Sequence, residues 1–444
     1  MLEMNTRMSP RLGFTIRTSW MPRIAFLCGI LLCFLPQAAF GELRAGTARV
    51  NITPPAGFHH YAFLGRPKPY GAPKNLIGAG RWDIENAGVH DDIYARVLAL
   101  SDGNTAFTIV SLDLIAFMPE EVRTRLPAPL QNVLFCSTHN HSGPAVVRFI
   151  PPVSAYRTPY LDKIENGIAQ AIITAHRRIK PVAIHAGKGT VNLSYNKLGG
   201  GKGLYLCGET NPDRIPFEPV DKEVGVIRID DTNGRPVAAL VNYASHPVVY
   251  WPGNLVSGEY PGHCSRIVEG ALGNDAVCLF VNGAGGDVDP FDSCLPSVES
   301  PVRVGKELAD TVLAVHIRLG KNMEHPVKIA FRTETLAFQG RKEMAGNTLK
   351  AELNTAVIGD SIAFVTGPGE FYVDYQLDLK RRSPVKNTFF FGYTNGYLGY
   401  FPSKRAWDEN WGRGVYEHHK WVEIGAGERF IDRALAMLSI ARGK

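Results

Sequence analysis

The chain has 444 residues, of which 45% are hydrophobic, 20% charged and 10% aromatic, and its formal charge is +6. This is the composition of a globular protein that buries a core, with no bias toward disorder or fibre. Four arginines, Arg7, Arg11, Arg17 and Arg23, lie in the first 41 residues, and no block of Lys or Arg occurs later, so nothing recommends nucleic acid as a partner.

The first element in chain order is the apolar run IAFLCGILLCFL, Ile24 to Leu35, behind an Arg-bearing leader and ahead of Pro36, Ala38, Ala39 and Gly41. That order reads as a signal peptide over residues 1–41, cleaved close to Gly41, and places the remaining chain in a secreted or periplasmic location. The run is shorter than the about 20 apolar residues of a spanning helix. Outside the leader, Cys136 and Cys278 lie in apolar runs and are predicted to be buried thiols. Cys207 and Cys294 sit in Gly/Pro/Asp-rich loops, where an oxidising compartment allows them to pair.

From about Leu43 onward, strand-like runs alternate with helical ones. The runs are TAFTIVSLDL from Thr105, NVLFCSTH from Asn132, PVAIHAGKG from Pro181, VGVIRID from Val224, PVAALVNYASH from Pro236 and AVCLFVNG from Ala276. Apolar residues at helical spacing predict amphipathic helices over Tyr160 to Ile179, from Val304 to Leu319, and from about Gly427 to Arg442. The fold class that follows is α/β: one large domain over residues 42–444, with mixed β-sheets flanked by helices and a site at the strand ends. Two stretches, Gly199 to Pro216 and the aromatic-rich Phe389 to His419, are predicted to be long binding or lid loops.

Chemistry concentrates where strands stop. In LFCSTHNHSGPAV, His139 and His141 follow an apolar run; alternation along a strand would turn both imidazoles to one face. His246, before Pro247, ends another run. A third run ends in Gly283, Gly285, Gly286, Asp287 and Asp289, and a fourth, SIAFVTGPGEF, delivers Glu370 at an exposed strand tip. Taken singly, the histidines also suit polar turn positions and the Asp pair a self-stabilised turn. Four strand ends that deliver His, His, Asp/Asp and Glu fit a mononuclear zinc site better than four coincidences.

These residues resemble the neutral/alkaline, non-lysosomal ceramidase family. The segment Thr138 to Pro144 resembles that family's Thr-His-Thr-His-Ser-Gly-Pro motif. The resemblance continues in order through Gly88 to Leu100, Asp113, His246-Pro247, GGDVDP, PGEF and Asn395 to Tyr400. It covers about Ala45 to Tyr416, the family's catalytic domain without its C-terminal β-sandwich domain. It implies an N-acyl amide hydrolase with one zinc ion per chain and zinc-activated water as nucleophile. The ligands it implies are His139, His246, Glu370 and Tyr400. It implies catalytic roles at the substrate amide and its oxyanion for His141, Tyr416 and Lys197, and an N-acylated, lipid-like small molecule as substrate. No protein partner is implied, and peripheral membrane contact stays open.

Three departures bear on substrate. Asp289 stands where the family carries a serine, Lys197 where relatives have Arg, and Ala145-Val146 where they have Gly-Gly. Arg to Lys loses a planar fork that clamps an oxyanion. The rival readings are a zinc hydrolase of another small amide, ester or peptide, and a non-catalytic relative that binds metal or lipid. The aromatic stretch 389–419 and Val146 to Tyr156 are candidate linings of an acyl-chain groove.

Overall fold

Alternating apolar residues build two sheets that share one core. The computed structural model describes residues 42–62, 81–148, 153–155, 157–199, 208, 211–250, 253–273, 275–295, 297–320, 327–409 and 420–441. All of them belong to one compact unit. The first sheet has eight strands: β1 (Arg44–Asn51), β2 (Tyr94–Ser101), β3 (Ala106–Leu112), β4 (Val133–Ser137), β5 (Lys180–Thr190), β6 (Glu223–Asp231), β7 (Pro236–Tyr243) and β8 (Val277–Asn282). Their spatial order is β8-β7-β6-β5-β1-β2-β3-β4. The second sheet runs β9 (Ile329–Gln339), β10 (Thr348–Ile358), β11 (Ile362–Thr366) and β12 (Asn387–Phe391) in sequence order.

Most neighbours are antiparallel, but β3–β4, β7–β8 and β11–β12 are parallel. The large sheet is two four-stranded halves joined only where Arg44 and Ala45 of β1 pair with Pro181 and Lys180. That short hinge lets the sheet curl, so β8 packs back against β2, β3 and β4, and the Ser111 hydroxyl of β3 donates to the Phe280 carbonyl of β8 at 2.6 Å. Strands at opposite ends of the sheet order are therefore neighbours in space.

Both faces of the strands are apolar, as buried strands require. Leu98 and Leu100 of β2, Ile227 and Ile229 of β6, and Leu279 and Val281 of β8 meet Ile358 of β10, Phe364 of β11 and Phe389 and Phe391 of β12 in one core between the sheets. Val97 and Ala99 turn the other way, toward helix α1 (Pro159–Arg177). Thr158 caps α1 by accepting from the Leu161 amide at 3.1 Å, with Pro159 at the first helical position. Helices α2 (Glu259–Leu272) and α3 (Glu299–Arg318) pack on each other, α2 on β8 and α3 on β5 and β6. Helices α4 (Val373–Arg382) and α5 (Ala426–Ala441) cover the second sheet. The three predicted helices thus coincide with α1, α3 and α5.

Of the aromatic-rich stretch, residues 389–409 are described and are not one long loop; 410–419 lie outside the described residues. Phe389, Phe390 and Phe391 complete β12 in the core, Tyr400–Phe401 pairs in parallel with Glu370–Phe371, and Lys404–Asp408 is helical. Side chains as apolar as Phe389–Phe391 gain more by filling the interior on both faces of β12 than by lining a surface loop. Cys136 and Cys278 are buried free thiols, as predicted. Cys207 and most of Gly199 to Pro216 lie outside the described residues, as do residues 1–41.

Candidate metal centre

The ends of β4, β7, β8, β11 and β12 are stitched together by hydrogen bonds. The Asn282 side-chain amide, at the end of β8, donates to the carbonyls of Thr138 and Ser245, both at 3.0 Å. The Ser137 amide donates to Tyr393, the Gly392 amide to Asn282, and the His141 amide to Pro247. These bonds place the segments after β4 and β7 side by side, although those strands are not neighbours in the sheet.

His139 and His141 converge, but not by strand alternation. β4 ends at Ser137, and His139 takes a left-handed backbone with φ of 68°. Such strain at a non-glycine residue persists only where surroundings enforce it. Here the Asn140 amide group donates to Asp113 and Ser257 carbonyls at 3.2 and 2.7 Å, while its oxygen accepts from the Ser142 amide at 2.8 Å. Ring centroids of His139 lie 4.8 Å from His141 and 4.9 Å from His246. One ring nitrogen from each of the three lies within 4.8 Å of the others.

Backbone carbonyls fix two of the tautomers. His139 Nδ1 is 2.8 Å from the Ile115 carbonyl, and His246 Nδ1 is 2.5 Å from the Gly285 carbonyl. A carbonyl only accepts, so each Nδ1 carries a proton and each Nε2 is the nitrogen turned to the centre. Both Nε2 atoms face Glu370, whose Oε2 is 3.0 Å from His246 Nε2 and 3.4 Å from His139 Nε2.

Glu370 is buried, not exposed at a strand tip, because β11 turns inward through Gly367-Pro368-Gly369 against Gly286. Its other oxygen accepts from the Tyr397 hydroxyl. Burial opposes ionisation of Glu370, but His139 and His246 hold its carboxyl well below the ordinary range. Burial first, then the Lys197 ammonium, pushes His246 down, and burial beside His139 and His246 pushes His141 well down. The two Nε2 atoms and the Glu370 carboxylate converge on one point, which a proton or a metal cation can occupy. Two imidazoles and a carboxylate, with a third imidazole beside them, are donors of the kind that zinc sites use.

The other expected residues divide. Tyr400 is buried, pairs across the parallel bridge with Glu370, and places its ring centroid 5.9 Å from the Lys197 ammonium. Lys197 is buried too, with Nζ 3.4 Å from both His246 ring nitrogens and 3.3 Å from Asp289. Tyr416 lies outside the described residues. Asp287 is structural: it accepts from the Val373 amide and the Asn196 side chain, both at 2.8 Å, and burial pushes it up to about 7.

The sequence patterns did not single out three residues here. Tyr397 holds Glu370, and its signal is the Asn-x-Tyr-x-x-Tyr spacing itself. Tyr393, with φ of 52°, stacks its ring 4.1 Å from His139. Glu259, at the start of α2 with φ of 54°, accepts from the Tyr250 amide at 2.8 Å, the Val249 amide at 3.2 Å and the Ser142 hydroxyl at 3.3 Å. It ties the chain after His246 to the chain after His141.

A second cluster, His90, Asp91 and His263, has a different character. Arg266 donates to His263 Nδ1 at 2.9 Å, so that ring's proton sits on Nε2, turned toward Asp91 at 3.3 Å. Arg266 and Ser257 donate to the same carboxylate at 2.7 and 2.6 Å. The Asp91 carboxylate thus holds Arg266, Ser257 and the Gly258 amide, and the cluster braces the start of α2.

Comparison with known proteins agrees with this architecture. The family model for neutral/alkaline non-lysosomal ceramidase, N-terminal, matches residues 71–296, a range that includes His139, His141, Lys197 and His246. Neutral ceramidase B of Dictyostelium discoideum is 30% identical over 249 residues, 49% of this chain and 33% of that protein. Neutral ceramidase 2 of Arabidopsis thaliana is 26% identical over 271 residues, 56% of this chain and 32% of that protein. The chain thus spans about a third of the length of these curated relatives. The crystal structure of neutral ceramidase from Pseudomonas aeruginosa shares the fold, with a TM-score of 0.67 over 90% of this chain and 75% of that one at 16% identity. With half the chain matched by the family model and the fold shared, this protein belongs to the neutral/alkaline non-lysosomal ceramidase family.

Proposed function

We propose that this chain is a zinc-dependent hydrolase of the amide bond of an N-acylated, lipid-like substrate, with ceramide, cleaved to sphingosine and fatty acid, as the first candidate. One observation carries the reading: Nε2 of His139 and Nε2 of His246, with Nδ1 of each held by a carbonyl, converge on the Glu370 carboxylate beside His141, a donor set that suits a divalent cation. His139, His246, Glu370 and Tyr400 would hold one zinc ion. Zinc in such a site acts as a Lewis acid and brings the pKa of its water to about 7.

The chain's own residues do the rest. His141, kept neutral by burial, is suited to take a proton from the attacking water and return it to the leaving amine. The carbon–oxygen bond forms first and gives a tetrahedral oxyanion; its collapse then breaks the carbon–nitrogen bond as the nitrogen takes the proton, and the acid and the amine leave separately. Tyr416 and Lys197 are assigned to the developing oxyanion. Family membership and the names of the relatives support an amide of a sphingoid base as substrate. The apolar leader supports a secreted or periplasmic protein, and among the described residues no helix is long and apolar enough to cross a membrane.

A second reading, hydrolysis of a different small amide or ester at the same centre, is favoured by one observation: the Lys197 ammonium is engaged by Asp289. The deciding experiment measures fatty acid released from a defined N-acylsphingosine by the purified protein, with and without a zinc chelator, beside Glu370→Ala. Chelator-sensitive release that the variant lacks establishes reaction and metal together. No release from a chain that binds one zinc removes ceramide and leaves the second reading.

A further inference from the structure

Lys197 and Asp289 form an ion pair in the interior, each side chain 2% exposed. The backbone fixes both. Ser194–Asn196 pairs antiparallel with Val288–Pro290, Tyr195 opposite Asp289, and the Lys197 amide donates to the Asp287 carbonyl at 2.9 Å. The two side chains therefore project from neighbouring strands, and Nζ meets Oδ1 at 3.3 Å.

The ammonium is not remote from the metal centre. It lies 3.4 Å from His246 Nε2, the atom that faces Glu370, while Asp289 Oδ1 lies 3.7 Å from Nδ1 of the same ring. A positive charge in that position repels a divalent cation held by His246, and low-dielectric surroundings screen the repulsion poorly. A carboxylate in contact with the ammonium cancels most of it. Burying a charge without a partner is unfavourable, so the pair also keeps Lys197 in place.

We propose that Asp289 is a positioning residue acting through charge: by anchoring and cancelling Lys197, it allows the cluster of His139, His246 and Glu370 to hold a divalent cation beside a resident ammonium. The proposal rests on the zinc reading above and deepens it. It gives Asp289, which stands where relatives carry serine, a task at a distance from the metal. Lys197 and Asp289 are then a coupled pair, so a change in either one alone unbalances the site.

The test is zinc affinity, measured by competition with a chromophoric chelator on the purified chain and on Asp289→Asn, Lys197→Met and the double variant. Asp289→Asn is expected to bind zinc about 10- to 100-fold more weakly, the range of outer-shell losses. Lys197→Met is expected to bind at least as tightly as wild type. The double variant is expected to return to within about threefold of wild type, since charge coupling, unlike a packing defect, is relieved by the second change. The cobalt-substituted double variant should keep the wild-type visible spectrum.

An Asp289→Asn affinity equal to wild type overturns the proposal, and so does a double variant as weak as the single one. If Asp289→Asn does not fold, Lys197→Met decides: a loss of about tenfold or more there contradicts a repulsive ammonium. A wild-type chain that binds no zinc sinks the zinc reading and this proposal together. Zinc bound by wild type with no coupling between the two residues sinks this proposal alone.

Discussion

His246 Nε2 and Glu370 Oε2 stand 3.0 Å apart, while Nδ1 of the same ring is held by the Gly285 carbonyl. A metal cation bound there would take the place of the proton that otherwise joins them. Glu370→Ala, or His139→Ala combined with His246→Ala, should weaken zinc binding by more than about 100-fold, beyond the range of outer-shell changes. Equilibrium dialysis with metal analysis gives the answer. Stoichiometric zinc in the double-histidine variant would remove the assigned centre.

His141 belongs to the same trio of rings, yet its proposed work is proton transfer. His141→Ala should lower kcat by about 10²- to 10⁴-fold. It should leave zinc stoichiometry at one per chain. A variant that loses the metal along with the rate would make His141 a ligand.

Glu259 supplies a pH-dependent prediction. Burial pushes its carboxyl from 4.5 up to about 7 although Tyr250, Val249 and Ser142 donate to it. Raising a carboxyl's native pKa means the folded state binds the proton more tightly than the unfolded one. This group's contribution is therefore full below pH 4.5 and is lost as pH rises to about 7. Glu259→Gln lacks that dependence. Its stability relative to wild type should improve by about 3 kcal/mol between pH 4.5 and 7, read as the difference between urea midpoints. A constant difference across that range would show that Glu259 titrates normally in the fold. Asp287, pushed to the same value, titrates in both proteins and cancels from the comparison.

Gly286 is where the chain after β8 passes close against the Glu370 turn. A Cβ there would lie 2.6 Å from the Glu370 carbonyl oxygen and 2.8 Å from that of Phe371, while the Gly286 amide donates to Phe371 at 2.9 Å. Gly286→Ala should cost about 1–3 kcal/mol of stability. It should also displace Glu370, so zinc affinity falls with the thermal midpoint. A variant with a lowered midpoint and unchanged affinity would show that the Glu370 turn moves as a rigid unit.

How far the sequence reached follows from the range of each interaction. Strand runs and the helices α1, α3 and α5 were legible because periodicity is local. His139, His246 and Glu370 were legible as strand ends, and the structure brings them together. The left-handed turn at His139 was not legible, because it depends on Asn140 reaching the Ser257 carbonyl, 117 residues away. The contact of Lys197 with Asp289 was hidden likewise, since it follows from the pairing of two three-residue strands. Phe389–Phe391 looked like the start of a lid because nothing local says that a second sheet awaits them.

The origins of the donor atoms carry one more consequence. His139 and His246 follow strands of the large sheet, whereas Glu370 follows a strand of the small one. An ion bound by all three would rivet one sheet to the other, so its binding energy would appear as resistance of the whole molecule to unfolding, about 4 kcal/mol at a free metal concentration 1,000 times the dissociation constant. In this molecule the reagent of catalysis would double as a fastener, and a chelator would loosen the chain as well as silence it.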